Sequence, residues 1–138
     1  MRHTIVVLRF IQIYQNFRPF SDHEAWALFK IAAYAEAVGW SLLIFGIIWE
    51  SYIMPGSHEF VAVGGRIHGM LFVAYIGAVL AFAPSMRWSF PQTILGGLMS
   101  TPPYGSLLFE FFVSKQRSYK SAQTLFSSTL YHQALARA

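Results

Sequence analysis

The sequence predicts an all-α membrane protein whose core is a three-helix transmembrane bundle. Of its residues, 55% are hydrophobic and only 12% are charged, which is about half the charged fraction of soluble domains, roughly 25%. Long runs also lack any charge, such as the twenty residues from Ile67 to Met86, and a run of this length is sufficient to cross a bilayer. The absence of cysteine excludes disulfides and thiolate metal sites.

Residues 1–20 have the pattern of an amphipathic N-terminal arm. Four polar side chains gather on one helical face, and most of the apolar ones lie elsewhere: Arg2, Arg9, Gln12 and Asn16. This pattern is typical of a helix lying in the membrane interface. The alternatives are an arm that packs on a partner and a disordered arm. Pro19 ends the element.

The first long helix is predicted to begin with Ser21 as N-cap and Glu24 as its reciprocal partner in a capping box. It extends to about residue 52, or about 45 Å at 1.5 Å per residue, whereas a bilayer core is only about 30 Å thick. The residues MPGS at 54–57 predict a turn. A second span then covers about residues 59–84, ending at Pro84.

The third apolar segment, from Pro91 to Val113, contains two consecutive prolines. In a helix, Pro102 and Pro103 would leave the carbonyls of two preceding residues, Leu98 and Met99, without donors, so the third helix is expected to be kinked or broken there. Residues 21–114 are therefore predicted to form the transmembrane domain, and residues 115–138 a polar C-terminal tail or partner-docking segment.

Small residues form stripes on both full spans. Gly39 belongs to the stripe on the first span. The stripe on the second span has a spacing of four and consists of Gly65, Gly69, Val73, Gly77 and Ala81. Such stripes allow membrane helices to approach closely. Helix packing is the main interpretation, with the two stripes facing each other or one of them facing a partner chain.

Glu36 and His68 are the polar groups most out of place in these apolar spans. Ionisable groups inside a membrane face protein or a cavity. They could be structural hydrogen-bonding residues or a proton relay, and His68 is also a candidate ligand for a haem or a chlorophyll-like pigment, although no cofactor is required by the sequence. Helix rise places the two residues about 9 Å apart in depth. We therefore expect His68 to bond the broken third segment instead, through a freed carbonyl, Thr101 or Tyr104.

The motifs resemble a bacterial integral-membrane family of unknown function with three predicted transmembrane helices and a His-Gly dipeptide. The similarity extends from about Leu28 to Tyr119 over YAEAVGWSLL, GRIHGMLFVAYIGAVL and MRWSFPQTILGGLMSTPPYGSLLFE. It places several residues on family positions: Glu36, Ala37, His68, Gly69, Arg87, Trp88, Pro103, Tyr104, Gly105 and Glu110. It implies a multi-pass protein of the bacterial inner membrane and implies no particular activity.

The charge distribution does not give an orientation for three spans. The ten Lys and Arg residues then divide five and five between the two sides, so the positive-inside rule is balanced. If the third segment instead turned back at Pro102-Pro103, nine would lie on one side and only Arg66 on the other. Each arm would have about ten residues, too few to span. A kinked third span is favoured here, following the family pattern.

These observations favour a small non-catalytic membrane protein, an accessory or structural subunit that packs against a larger membrane complex or another copy of itself. One alternative is a transport or proton-coupling component using Glu36 and His68, and another is a pigment- or haem-binding subunit using His68. The sequence has no nucleophile elbow, His-Glu-x-x-His element or phosphate loop. Its basic residues are scattered without a nucleic-acid-binding motif, so the lipid bilayer and other membrane proteins are the expected partners.

Overall fold

The structure is a computed structural model that describes the backbone of residues 2–137 and the side chains of residues 4–133. Met1, Ala138 and the Arg2 side chain, which belong to the predicted arm and tail, lie outside this part. Within it all regular structure is helical, which confirms the all-α prediction. The helices are α1 Arg2–Asn16, α2 Asp22–Ile48 with a π-helical continuation Trp49–Ile53, α3 Glu59–Phe82, α4 Phe90–Leu98 and α5 Gly105–Arg137.

Helices α2 and α3 form an antiparallel pair whose backbones touch at glycines. A Cβ atom on Gly46 would lie 2.7 Å from the Phe60 carbonyl oxygen, and one on Gly64 would lie 2.8 Å from the Leu42 carbonyl oxygen. Gly39 meets the next turn of α3, where a Cβ would be 3.1 Å from the His68 Cα. These three contacts fix the register of the pair, because no side chain fits between the helices there.

The glycines at 69 and 77 do not take part in this packing. Nothing lies within 4 Å of a Cβ built on Gly69 or Gly77. Helix α3 is rotated so that Gly64, His68 and Tyr75 face the rest of the chain, which turns the predicted stripe outward. The expectation that the two stripes face each other is therefore corrected, and the stripe of α3 is open.

Within residues 2–137, two helices are long and apolar enough to cross a membrane, judged by length and composition. They are α2 with its π-helical continuation, Asp22–Ile53 with 32 residues, and α3 with 24 residues. The turn between them contains Gly56 at φ +91°, and the Glu50 carboxylate pairs with His58 across it. The predicted capping box is present, since Ser21 and Glu24 exchange their side-chain and backbone hydrogen bonds.

The third apolar segment folds back on itself instead of continuing across. The returning arm, which is Tyr104 followed by α5, contacts α2 in reverse order. Its contacts in chain order are Tyr104 with Ser41, Ser106 with Ala33 and Glu36, Glu110 with Lys30, and Arg117 with Asp22. Helix α4 approaches from the same end, because Trp88, just before it, packs on Phe29 near the start of α2. The α4–α5 hairpin therefore enters and leaves at one end of the α2–α3 pair.

The third apolar segment is therefore two helices in a hairpin and not one kinked helix. The break itself lies where the prolines predicted it, between Leu98 and Gly105. Tyr104 reverses the chain with φ 59°, a left-handed conformation that is uncommon outside glycine. A Cβ on Gly105 would lie 2.0 Å from the Met99 carbonyl oxygen, so only glycine fits the tight return.

Helix α1 is attached to α3 at a carbonyl that a proline leaves free. Pro84 has no N–H for the Leu80 carbonyl four residues earlier, and the Tyr14 hydroxyl donates to that oxygen instead. Partial burial raises the pKa of Tyr14, which keeps the hydroxyl protonated as a donor. Sequence reasoning had not linked the arm to this site.

Helix α5 continues without a break through the predicted boundary at residues 114–115. Its 33 residues correspond to about 50 Å, so it extends well past Asp22, the start of α2. Beyond Arg117 its described side chains are exposed. The polar C-terminal segment is thus a helical extension of the hairpin.

Candidate functional site: a buried Glu36–His68 pair

The carboxyl group of Glu36 is fully buried at the centre of the helical body. Helix α2 presents it one turn before Trp40, and the α4–α5 hairpin covers it. The Ser106 hydroxyl, which follows the tight return at Gly105, lies 2.5 Å from Glu36 Oε2 and 3.2 Å from the Ala33 carbonyl oxygen. One carboxyl oxygen is therefore occupied by the hairpin.

The other carboxyl oxygen faces His68 across a short gap. His68 Nε2 lies 3.8 Å from Glu36 Oε1, and the His68 side chain is 12% exposed. Neither of these two buried atoms has a hydrogen-bond partner among the described residues. Such groups are rare in folded proteins, since an unpaired buried polar group costs about 1–3 kcal/mol. The pair thus brings two unsatisfied buried polar atoms together at one place.

The estimated depth difference of 9 Å between Glu36 and His68 was wrong. Because Gly39 packs on the His68 Cα, His68 is level with a residue only three positions from Glu36, or about 4.5 Å along the helix. The assumed helix ends, about 52 and 58, agree with the observed Ile53 and Glu59 within one residue. The error was to place these ends at the same level, since Gly46 packs on Phe60 and the last turns of α2 extend beyond the start of α3. The two side chains therefore meet without an intervening group.

The hypothesis that His68 bonds the broken third segment is also corrected. Trp40 takes this role: its indole N–H donates to the Ser100 carbonyl at 3.3 Å, and its ring meets the His68 ring edge-on with centroids 4.2 Å apart. Trp40 therefore lies between His68 and the hairpin. Tyr104 was expected at this depth and is found there, but its hydroxyl pairs with Ser41 of α2 at 3.1 Å.

The hairpin tip is held by side chains that satisfy its free carbonyls. Helix α4 ends at Leu98, so its last carbonyls have no partners within the helix. The buried Tyr75 hydroxyl of α3 donates to the Gly96 carbonyl at 3.0 Å, and the Ser100 hydroxyl donates to the Gly97 carbonyl at 2.6 Å. The freed Leu98 carbonyl accepts the N–H of Thr101. Trp40 of α2 and Tyr75 of α3 therefore both donate to backbone carbonyls near the proline break.

Sequence reasoning missed Trp40, Ser41, Tyr75 and Ser106 as members of this site. A signal existed for Trp40, which follows Glu36 by one helical turn and therefore shares its face. Ser106 follows the glycine that closes the hairpin, but its position opposite Glu36 depends on the return direction of α5. Tyr75 and Ser41 resemble ordinary polar residues in a span, and nothing in their spacing distinguishes them.

At 3.8 Å, Glu36 Oε1 and His68 Nε2 are beyond hydrogen-bond distance, so the two side chains would have to approach each other to share a proton. With one proton between them the pair is neutral, either as carboxylic acid and imidazole or as carboxylate and imidazolium. Within residues 4–133 no group of three or more His, Cys, Asp or Glu side chains could hold a metal ion. A metal bound to His68 Nε2 would have to lie in the 3.8 Å gap that separates this atom from Glu36 Oε1.

A protein-family model matches the middle of the chain. The family model "Domain of unknown function (DUF3817)" matches residues 26–115. The chain belongs to this family. The match includes Glu36, His68 and the α4–α5 hairpin up to Lys115, while helix α1 and the extension of α5 lie outside it. No curated protein and no solved structure matches the sequence.

Trp40 of α2 and Trp49 of its π-helical continuation provide a matched test of the hairpin contact. Trp40→Phe removes the donor to the Ser100 carbonyl but keeps a ring against His68, so we expect the free energy of unfolding to fall by about 1–3 kcal/mol. Trp49→Phe is the control, because the Trp49 indole N–H is buried without a partner and its loss leaves no acceptor unsatisfied. Reversible unfolding in mixed micelles measures both; equal losses would contradict the role of Trp40.

Proposed function

We propose that this DUF3817 protein is an integral membrane protein of the bacterial inner membrane with two spans, α2 and α3, and a re-entrant hairpin. The nine residues of α4 extend only about 14 Å, too short to cross the hydrocarbon core. With the hairpin returning to its entry side, nine of the ten Lys and Arg residues lie on that side. This places the start of α2 and the exposed part of α5 in the cytoplasm by the positive-inside rule.

Within this framework we propose that the protein is a proton-binding component of a membrane process and not an enzyme by itself. The observation that carries the proposal is the 3.8 Å approach of Glu36 Oε1 and His68 Nε2, both buried and both without another partner. Intramembrane acid and imidazole groups in this arrangement are typical of proton relays. Two spans cannot enclose a path alone, so a partner or a second copy would complete it.

The proposed coupling follows from the charge of the pair. Removing the shared proton leaves a buried carboxylate, and adding a second proton leaves a buried imidazolium; either state carries an uncompensated charge in an apolar region. Ser106 contacts the same carboxyl from α5, so the stability of the docked hairpin depends on how many protons the pair holds. The nearby Lys30 and Glu110 side chains form an ion pair at 3.4 Å, so their charges offset each other.

Infrared difference spectroscopy between acid and alkaline samples in lipid tests this proposal. We expect a carboxyl band of a buried acid that changes with pH, disappears in Glu36→Gln and shifts in His68→Gln, because the two groups share the proton. Glu50→Gln is the matched control. Glu50 pairs with His58 across the turn between α2 and α3, away from Glu36, so this variant should leave the band unchanged. A band that persists in Glu36→Gln, or no pH-dependent carboxyl signal at all, would refute the proposal.

A second candidate function, an accessory subunit packed on a larger membrane complex, is favoured by the open face of α3. The chain uses one set of glycines for its own helix pair and leaves Gly69 and Gly77 uncovered. Their neighbours Met70 and Val73 are 66% and 68% exposed. Small residues on an exposed span favour close contact with another helix, of a different protein or a second copy.

Pull-down from native membranes with mass spectrometry tests this candidate. Gly69→Leu and Gly77→Leu add bulk on the open face, so we expect both to reduce recovery of a defined partner without lowering the thermal stability of the purified chain. Val38→Leu adds bulk on the exposed face of α2 and should leave recovery unchanged. Identical partner recovery in all variants would exclude α3 as the contact.

A further inference from the structure

A second polar feature lies at the end of the helical body where the hairpin enters. Here a cavity of about 340 Å³ opens between the start of α2, the segment after α3, the start of α4 and the middle of α5. Its lining is mixed, with two tryptophans, two glutamines and a group of charged side chains. It is separate from the Glu36–His68 pair, which lies about half-way along α2.

The cavity carries an excess of positive charge. Arg87, Arg117 and Lys120 line it together with one acid, Asp22. Arg117 is paired with Asp22 and lies over the Trp26 ring, 5.3 Å from its centroid. In the part of the chain that the structure describes, neither Arg87 nor Lys120 has an acidic partner within 4 Å. Two of the three cations are therefore uncompensated.

Arg87 occupies a backbone position at which glycine is the usual residue. Helix α3 ends in a Schellman arrangement, in which the N–H of Trp88 bonds the Ala83 carbonyl and the N–H of Arg87 bonds the Pro84 carbonyl. Arg87 has φ 56°, the left-handed conformation that disfavours residues with a Cβ. Backbone strain of this kind concentrates at binding sites, and here it fixes a guanidinium group at the wall of a cationic cavity.

We propose that this cavity binds a phosphate ester anion and that the phosphate belongs to the headgroup of an anionic phospholipid. Arg87 and Lys120 would bind the phosphate oxygens, since a guanidinium donates in a planar fork and an ammonium acts as a point charge. The paired amides of Gln92 and Gln116, joined at 3.0 Å, lie beside them. Trp26 and Trp88 line the same cavity, and tryptophan is typical of the headgroup level.

The lipid source rests on the proposed membrane insertion, which places this end of α2 and α3 at the cytoplasmic surface. A soluble phosphate ester offers the same anion without acyl chains. The two sources therefore differ in the need for an acyl chain, and this difference can be measured.

The experiment titrates the purified chain in neutral detergent and follows tryptophan fluorescence. The probes are short-chain phosphatidylglycerol, short-chain phosphatidylcholine and glycerol 3-phosphate. We expect saturable binding of phosphatidylglycerol that weakens with salt and exceeds binding of the other two. Arg87→Gly and Lys120→Gln should each weaken it about tenfold, the effect of one charge-assisted contact.

The variants separate binding from folding. Arg87→Gly places the preferred residue at the left-handed position, so its melting temperature should stay the same or rise while binding falls. Lys115→Gln is the matched control, an exposed cation of α5 that does not line the cavity, and it should bind as the unchanged chain does. Equal binding of the two phospholipids, or full binding by Arg87→Gly and Lys120→Gln, would overturn the proposal.

Two further outcomes separate a lipid phosphate from a soluble phosphate ester, and the lipid proposal from the proton proposal. Binding of glycerol 3-phosphate as tight as that of phosphatidylglycerol would overturn the lipid source and assign the cavity to a soluble phosphate ester. Glu36→Gln removes the proposed proton site but should keep phosphatidylglycerol binding. A failed proton proposal therefore leaves this result intact, and a failed lipid result leaves the infrared signal of Glu36 intact.

Discussion

The fold depends on one constraint: carbonyl groups that prolines and helix ends leave free in an apolar environment must find donors. Three side chains supply them from other elements. Tyr14 of α1 serves the Leu80 carbonyl before Pro84, Trp40 of α2 serves Ser100 before the proline pair, and Tyr75 of α3 serves Gly96 at the end of α4. The first two bonds join parts of the chain that are not consecutive elements, and the third joins α3 to the following helix α4. The donors that satisfy these free carbonyls therefore also hold the helices together.

The docked hairpin determines both sites. By returning along α2, helix α5 brings Ser106 to the buried carboxyl of Glu36 and Arg117 to Asp22. These two contacts are eleven residues apart on one helix, or about 16 Å. The buried Glu36–His68 pair and the cationic cavity therefore both include residues of α5 or contacts with it.

Much of the fold could be predicted from the sequence, because local signals were strong. The capping box at Ser21, the turn at 54–57 and the break at Pro102-Pro103 all depend on residues close in the chain. The direction of the third segment was not predicted, since hydropathy reports the length of an apolar run and not its path. The Lys and Arg count favours the re-entrant form, whereas the family pattern favours three spans.

The register between α2 and α3 was the second feature that could not be predicted from the sequence. Glycines recur on more than one face of α3, and the sequence does not say whether Gly64 or Gly69 touches α2. That choice sets the level of His68, and the assumption that the end of α2 is level with the start of α3 placed His68 too far from Glu36. The role given to His68 belongs to Trp40, whose donor lies on the same face as Glu36 but whose acceptor is created only when the hairpin folds back.

The re-entrant path of the hairpin is the central claim, and sidedness of single cysteines tests it most directly. The chain contains no native cysteine, so His23→Cys, Met54→Cys and Ser118→Cys each give one label site, before α2, between α2 and α3, and on α5. In sealed membrane vesicles we expect His23→Cys and Ser118→Cys to react with an impermeant maleimide from the same side and Met54→Cys from the opposite side. Labelling of Ser118→Cys from the side of Met54→Cys would show a third span and contradict the account.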